Sequence, residues 1–244
     1  MQAGSVSASQ NRVGHFGVPK PVVRYPSFKS LDKYIDIRLL RSLDPFMSTV
    51  IARHARADRD SFFLNQHRLE TDSPYVPGVR EIWLTRTRPG TPYDYLDINH
   101  TALWQNTEAA EEFRPLMDFI DTLPFESKGR ILIIYDAGGH AVPAHRDHER
   151  EDICHEFIWF RTNLGKPLYM LNHLTGEKLS VDSYTAWFDT VNQYHGSDAT
   201  GQLSFSVRVD GRFTDEFRSR IPFSLENPAS TPSVWAMQDG EARA

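Results

Sequence analysis

The sequence predicts a mainly β domain with flanking α-helices, and three observations carry that expectation. From Leu123 to Asp210 short apolar runs alternate with tight-turn signals, and no helix-length periodic segment intervenes, which is the pattern of antiparallel strands. Ahead of that region, two stretches space their apolar residues as amphipathic helices do. A chain of 244 residues, 40% hydrophobic and 24% charged, is long enough for one well-packed domain with decorations.

Residues 1–26, rich in Ser, Gly, Gln and Pro, lack the apolar core of a secretory signal and are read as a flexible segment preceding a single domain over 27–225. From Ser30, Leu31, Ile35, Leu39 and Leu43 recur every four residues with Tyr34 alongside, predicting a helix. Asp44-Pro45 ends it. The same dipeptide starts a second helix, with Asp44 as N-cap and Pro45 in first position, carrying Phe46, Met47, Val50, Ile51 and His54. His54 and His67 are read as structural or solvent-facing histidines.

Pro74, Pro77-Gly78, Pro89-Gly90 and Pro92 then separate a strand over Val79 to Thr87 from the run YDYLDI. Trp83, Tyr93, Tyr95 and Trp104 are read as core or rim packing, with a substrate mouth as the alternative. Thr107 caps a helix that carries Phe113, Leu116, Ile120 and Leu123. Pro115 either kinks that helix or opens a new one.

After a turn at FESKG, the stretch Ile131 to Asp147, ILIIYDAGGHAVPAHRD, reads as a strand, a Gly-Gly turn and a second strand ending in His145-Arg146-Asp147. In an extended chain residues i and i+2 share a face, so an imidazole and a carboxylate converge with backbones about 6 to 7 Å apart. A 2-His-1-carboxylate site needs that pair plus one further His and leaves positions open. His195, in AWFDTVNQYHGSD, is the candidate. The strands EFIWFRTN and PLYMLN, with a turn at Leu164-Gly165-Lys166, and further turns at Gly176, Asp182 and Ser183 lie between; LSFSVRV follows. Residues 226–244 read as a loosely attached tail.

A net charge of −5 with both signs interspersed offers no footprint for nucleic acid. Cys154, the single cysteine, excludes a disulfide framework and is read as a small buried hydrophobe. No stretch is apolar enough to span a membrane, so a cytoplasmic protein of undetermined oligomeric state is expected.

His145, Asp147, His195 and Arg208, framed by LPF, YDAGG, FRTN and WFDT over Leu123 to Asp210, resemble the Fe(II)/2-oxoglutarate-dependent oxygenases, and within them the aspartyl/asparaginyl β-hydroxylase-like branch. The resemblance implies a double-stranded β-helix, a jelly-roll relative of the cupins. It also implies Fe(II) held by His145, Asp147 and His195, with 2-oxoglutarate and O2 as co-substrates. The far carboxylate of 2-oxoglutarate is assigned by the resemblance to a basic residue beyond the distal His. Arg208 is the natural choice, aided by Ser206 on the same strand face, although it lies thirteen residues after His195 (208 − 195) where ten or eleven are expected. His155 and Arg161 compete for that role. Trp159 and Phe157 are read as a barrel wall, and His140, His148, His173 and Asp189 as flanking, with a hydrogen bond to a liganding histidine as the alternative for Asp189. The expected reaction is hydroxylation of a small amino acid or amino-acid-derived metabolite. The alternatives are the same chemistry on a peptide or protein side chain, and a cupin-like metal-binding module without redox chemistry.

Overall fold

The computed structural model describes residues 26–57, 79–90, 103–147 and 155–221. The readings for the segment before residue 26, His67, Tyr93, Tyr95, YDYLDI, His148, Cys154 and the tail lie outside those residues.

The chain enters through β1 (Lys29–Ser30), followed by α1 (Ile37–Ser42) and α2 (Asp44–Ala57). The helix expected from Ser30 therefore starts seven residues later (37 − 30). Lys29 and Ser30 pair with Trp187 and Ala186, and the Asp32 carboxylate accepts from Tyr184 N, Thr185 N and Thr185 Oγ1. Tertiary pairing overrides the helical spacing there, and Asp36 caps α1 instead, accepting from Leu39 N at 2.9 Å. Asp44 is the first helical residue rather than the cap. Its carboxylate accepts from Thr162 Oγ1 and Asn163 Nδ2, tying the start of α2 to the barrel. His54 is structural, as read: buried, it contacts Glu112 at 2.9 Å and stacks on Phe113.

Next come β2 (Val79–Trp83), β3 (Thr85–Thr87), β4 (Trp104–Asn106), α3 (Glu108–Glu112) and α4 (Arg114–Asp121). Thr107 occupies the N-cap position of α3, but its hydroxyl donates to Trp83 O at 2.6 Å rather than to the helix. Pro115 lies in the first turn of α4, so a new helix opens there.

β5 (Phe125–Asp136) begins inside FESKG, which is strand rather than turn. It follows the far end of β12 across two irregularities in register, where a Cβ on Gly211 would meet Ser127 O at 2.4 Å. Glycine permits that close approach. The remaining elements are β6 (Val142–His145), β7 (Phe157–Phe160), β8 (Leu168–Leu171), β9 (Lys178–Ser180), β10 (Thr185–Trp187), β11 (Tyr194–Ser197), β12 (Ser204–Phe213) and α5 (Asp215–Arg220).

One sheet has the order β1-β10-β7-β12-β5-β2 and another β6-β11-β8-β9, with antiparallel pairing throughout. From β5 to β12 the chain crosses between these sheets at every step except the β8–β9 hairpin. That winding is a double-stranded β-helix, so the fold is mainly β with helices packed on one side. Phe119 of α4 meets Phe160 of β7 edge-on at 5.4 Å, and Phe205, Val207 and Val209 of β12 share the apolar cluster with Leu116 and Ile120. Each such buried side chain contributes roughly 1.5 to 3 kcal/mol. The two-residue period then turns Ser204, Ser206, Arg208 and Asp210 toward the barrel interior.

Candidate metal centre

The turn after β5 sets the site. Asp136 accepts backbone N–H bonds from Gly138, Gly139 and His140 at 2.7 to 3.0 Å and contacts the His140 ring. Gly139 adopts φ +59°, and its carbonyl accepts from Thr200 N. This turn delivers β6 to the edge of β11 in a register that places His145 directly opposite His195. Asp147 follows just beyond the strand, pinned by its N–H to Thr190 O at 2.8 Å.

His145 Nε2 lies 3.7 Å and His195 Nε2 3.5 Å from Asp147 Oδ1, and one ligand atom from each residue lies within 4.8 Å of the others. Donors placed cis around one octahedral metal, at bonds of about 2.1 Å, stand about 3 Å apart, so small rotations close this set on an ion. The tautomers suit it too. His145 Nδ1 is 2.9 Å from Pro143 O, and His195 Nδ1 is 3.4 Å from Gln193 O, which directs both Nε2 lone pairs to the shared point. Gln193 is itself locked by exchanging two hydrogen bonds with the Ser27 backbone. Two imidazoles and a carboxylate thus fit a divalent metal on one face, and the His145 side chain, 46% exposed, opens that face to solvent.

Arg208 reaches the site from β12. Its Nη1 donates to Asp147 Oδ2 at 2.7 Å and its Nε to Asp210 Oδ1 at 2.9 Å, while its guanidinium lies over the Phe157 ring. Asp210 also accepts from Arg130 Nε at 2.8 Å. A ladder of alternating charge, Arg130, Asp210, Arg208, Asp147, therefore runs along the inner wall. Burial opposes the charge on Asp147, but His195, Arg208 and His145 outweigh it and hold the carboxyl far below the usual carboxylate range. Burial likewise opposes the charge on Asp210, and the two arginines overcome it.

The other residues singled out in the sequence separate. Ser206 lies on the inner face, 1% exposed. Arg161 donates to the backbone carbonyls of Ser183, Lys166 and Val181, a structural tie across the end of the barrel remote from His145. His155 is buried just before β7, its carbonyl accepting from Trp187 Nε1. Asp189 caps its own turn through Val191 N, Asn192 N and Asn192 Nδ2, while Gln193 O stands beside His195 Nδ1, where the alternative sets Asp189. Phe188 packs on the His195 ring at 5.2 Å. Trp83 and Trp104 stack at 6.3 Å with Leu132 in a small cluster apart from the main core. A cleft of about 460 Å³ bordered by Arg38, Arg41, Asp44 and Tyr184 contains none of the three donors and lacks their chemistry.

Sequence reasoning missed Asp210, Arg130, Gln193 and Lys166. Asp210 was detectable as the next inward position after Arg208 in the two-residue period; the others depend on contacts distant in the chain.

No family model matches the sequence. No curated protein matches it either. Among solved structures, a Pseudomonas putida prolyl-4-hydroxylase is similar at TM-score 0.40 and 15% identity, over 77% of this chain and 93% of that one. A Trichoplax adhaerens prolyl hydroxylase, solved with a peptide fragment of the hypoxia inducible factor oxygen degradation domain, is similar at TM-score 0.40 and 11% identity, over 71% and 80%. A Burkholderia pseudomallei oxidoreductase of the 2OG-Fe(II) oxygenase family gives TM-score 0.34 and 14% identity, over 59% and 72%. At such identities and scores, the chemistry of this site stands on its own geometry.

Proposed function

We propose that this chain is an Fe(II)/2-oxoglutarate-dependent oxygenase that hydroxylates a C–H bond of a small amino acid or amino-acid-derived metabolite. The observation that carries the reading is the convergence of His145, Asp147 and His195 at the solvent-open end of a double-stranded β-helix, with both imidazole Nε2 atoms aimed at one carboxylate oxygen. The chemistry that Fe(II) and 2-oxoglutarate supply at such a centre consumes O2 and converts R–H to R–OH, with succinate and CO2 as co-products.

The residues' own contributions follow from the geometry. His145 and His195 donate from Nε2 because backbone carbonyls occupy Nδ1. Asp147 offers Oδ1 because Arg208 holds Oδ2. Phe157 and Phe188, in edge contact at 5.4 Å, wall the site and exclude water from the side of Arg208 and His195. The aspartyl/asparaginyl branch guides the first substrates to try.

The test has two parts. Iron should bind at one Fe(II) per chain, and adding 2-oxoglutarate without oxygen should produce a weak visible charge-transfer band. A screen of free amino acids and short peptides, read by succinate formation, should then return a free amino acid or derivative. Iron binding without any spectral response to 2-oxoglutarate would replace this reading with the cupin-like module, and turnover confined to peptides would move the substrate class.

A further inference from the structure

We propose that Lys166 and the Ser206 hydroxyl, at the closed end of the barrel, receive the far carboxylate of 2-oxoglutarate, and that Arg208 serves as a positioning residue for Asp147; this rests on the co-substrate reading above. Arg208 already answers two acids. Turning its guanidinium to an incoming carboxylate would take one of the two arginines from Asp210, which is fully buried, and release the outer oxygen of Asp147.

The closed end presents the opposite condition. Met170 lies opposite His195 and Leu168 opposite Ser197, so β8 runs away from the metal ligands toward its start, where the chain turns at Pro167 with Leu168 N bonded to Lys166 O at 3.0 Å. The charged groups that act on the Lys166 ammonium there are Asp136 and Arg161, which stand opposite Ser204 and Ser206 of the inner face. Asp198 N bonds Pro167 O, and Thr200 N bonds Gly139 O, which places Lys166 at the same end as the Asp136 turn.

Lys166 is 7% exposed, and among the described residues its ammonium makes no hydrogen bond or ion pair. Ser206 Oγ is fully buried and has no hydrogen-bond partner among them either. The two are linked through Arg161, since the register Val207 to Phe160 sets Ser206 beside Arg161, which donates to the Lys166 carbonyl. Arg161 itself is held by three carbonyls. Asp136, the acid acting on Lys166, is engaged by three backbone N–H groups and His140. Burial lowers the pKa of Lys166 to about 8, with Asp136 opposing and Arg161 assisting, as expected of an ammonium awaiting a counter-ion. A carboxylate entering from the metal end would meet a cation and a hydroxyl donor together.

The experiment is anaerobic titration of the Mn(II)- and Fe(II)-loaded protein with 2-oxoglutarate and with 2-oxopentanoate, which has the same chelating end and no far carboxylate. Calorimetry and the visible band report binding without turnover. Wild type should prefer 2-oxoglutarate by about 100-fold, and Lys166→Met should weaken it by about 30-fold while leaving 2-oxopentanoate unchanged. Ser206→Ala, a milder change in case Lys166→Met fails to fold, should cost 2-oxoglutarate three- to tenfold. Arg208→Gln should weaken metal binding and keep the preference. An unchanged preference in Lys166→Met or, should that variant not fold, in Ser206→Ala overturns the proposal, as does its loss in Arg208→Gln alone. A wild type that binds metal but neither 2-oxo acid refutes the co-substrate reading itself, a result separate from the other two.

Discussion

The two ends of the barrel carry buried charge in opposite states. At the metal end Arg130, Asp210, Arg208 and Asp147 alternate in sign at 2.7 to 2.9 Å, so their charges cancel before any ligand arrives. At the closed end the Arg161 guanidinium is bonded to carbonyls, and the Lys166 ammonium has no bonded partner among the described residues. The difference separates two jobs. A balanced ladder fixes the position of a metal ligand, because moving any member exposes its neighbour's charge to a dry surrounding. An unbalanced cation holds little in place, but it gains from an anion brought in from outside.

The largest effect is expected at the ligands, where the comparison can be broken outright. His145→Ala, Asp147→Ala and His195→Ala should each reduce bound iron well below one per chain and cut turnover by about a thousandfold or more, equivalent to ~4 kcal/mol. Stability should distinguish them. His145 is half-exposed, so its removal should barely change urea unfolding, whereas Asp147→Ala takes one of the two carboxylates from the buried Arg208, leaving two arginines on Asp210, and should cost about 3 kcal/mol. Equal stability losses would mean that the ladder does not end on Asp147.

Next in size is the ladder's centre. Asp210→Ala leaves two buried guanidinium groups facing each other and should destabilise the protein by about 3 to 5 kcal/mol in chemical unfolding. A loss under 1 kcal/mol would show that these charges are solvated, removing the contrast between the two ends.

A smaller effect probes the turn at the closed end. Gly139 combines φ +59° with no room for a side chain, since a Cβ would meet Thr200 Oγ1 at 2.0 Å and Gln202 O at 2.2 Å. Gly139→Ala should cost about 2 to 3 kcal/mol through the left-handed backbone and the displaced loop. Because this turn sets β6 against β11, metal affinity should fall with it; a destabilised variant with unaltered iron binding would place the register of His145 under other control.

What was legible in the sequence follows the range of the interactions. His145 and Asp147 were readable as a pair because a two-residue spacing suffices, and the inward face of β12 because alternation is local. Arg208 was visible as an inward arginine, but its partner Asp147 lies 61 residues earlier (208 − 147), and Arg130, which shares Asp210 with it, lies 78 residues earlier (208 − 130), so the ladder was not. Lys166 read as an ordinary turn lysine between Gly165 and Pro167, since its burial arises when the β7–β8 turn closes the barrel. FESKG and the region from Leu31 to Asp36 were misread for the same reason. Gly211 and the β10 backbone, far along the chain, decide their conformations.

The smallest effect bears most directly on the closed end. With a folded pKa of about 8 against the ordinary 10.5, Lys166 binds a proton more tightly in the unfolded chain. The cost of burying its charge is therefore present in full below pH 8 and is relieved as pH rises from 8 toward 10.5. Asp136 on β5 partly offsets that shift by favouring the charged ammonium, and Arg161 beyond β7, lowered to about 10 mainly by burial, titrates later, so Lys166 dominates the local response. Metal-free wild type should gain roughly 1.5 kcal/mol relative to Lys166→Met between pH 8 and 9.5, measured by urea unfolding at each pH. With Mn(II) and 2-oxoglutarate bound, a carboxylate beside Lys166 would keep it charged and flatten that slope. Parallel pH profiles for wild type and Lys166→Met without ligand would place the ammonium in water, and the closed end would then hold no unbalanced charge.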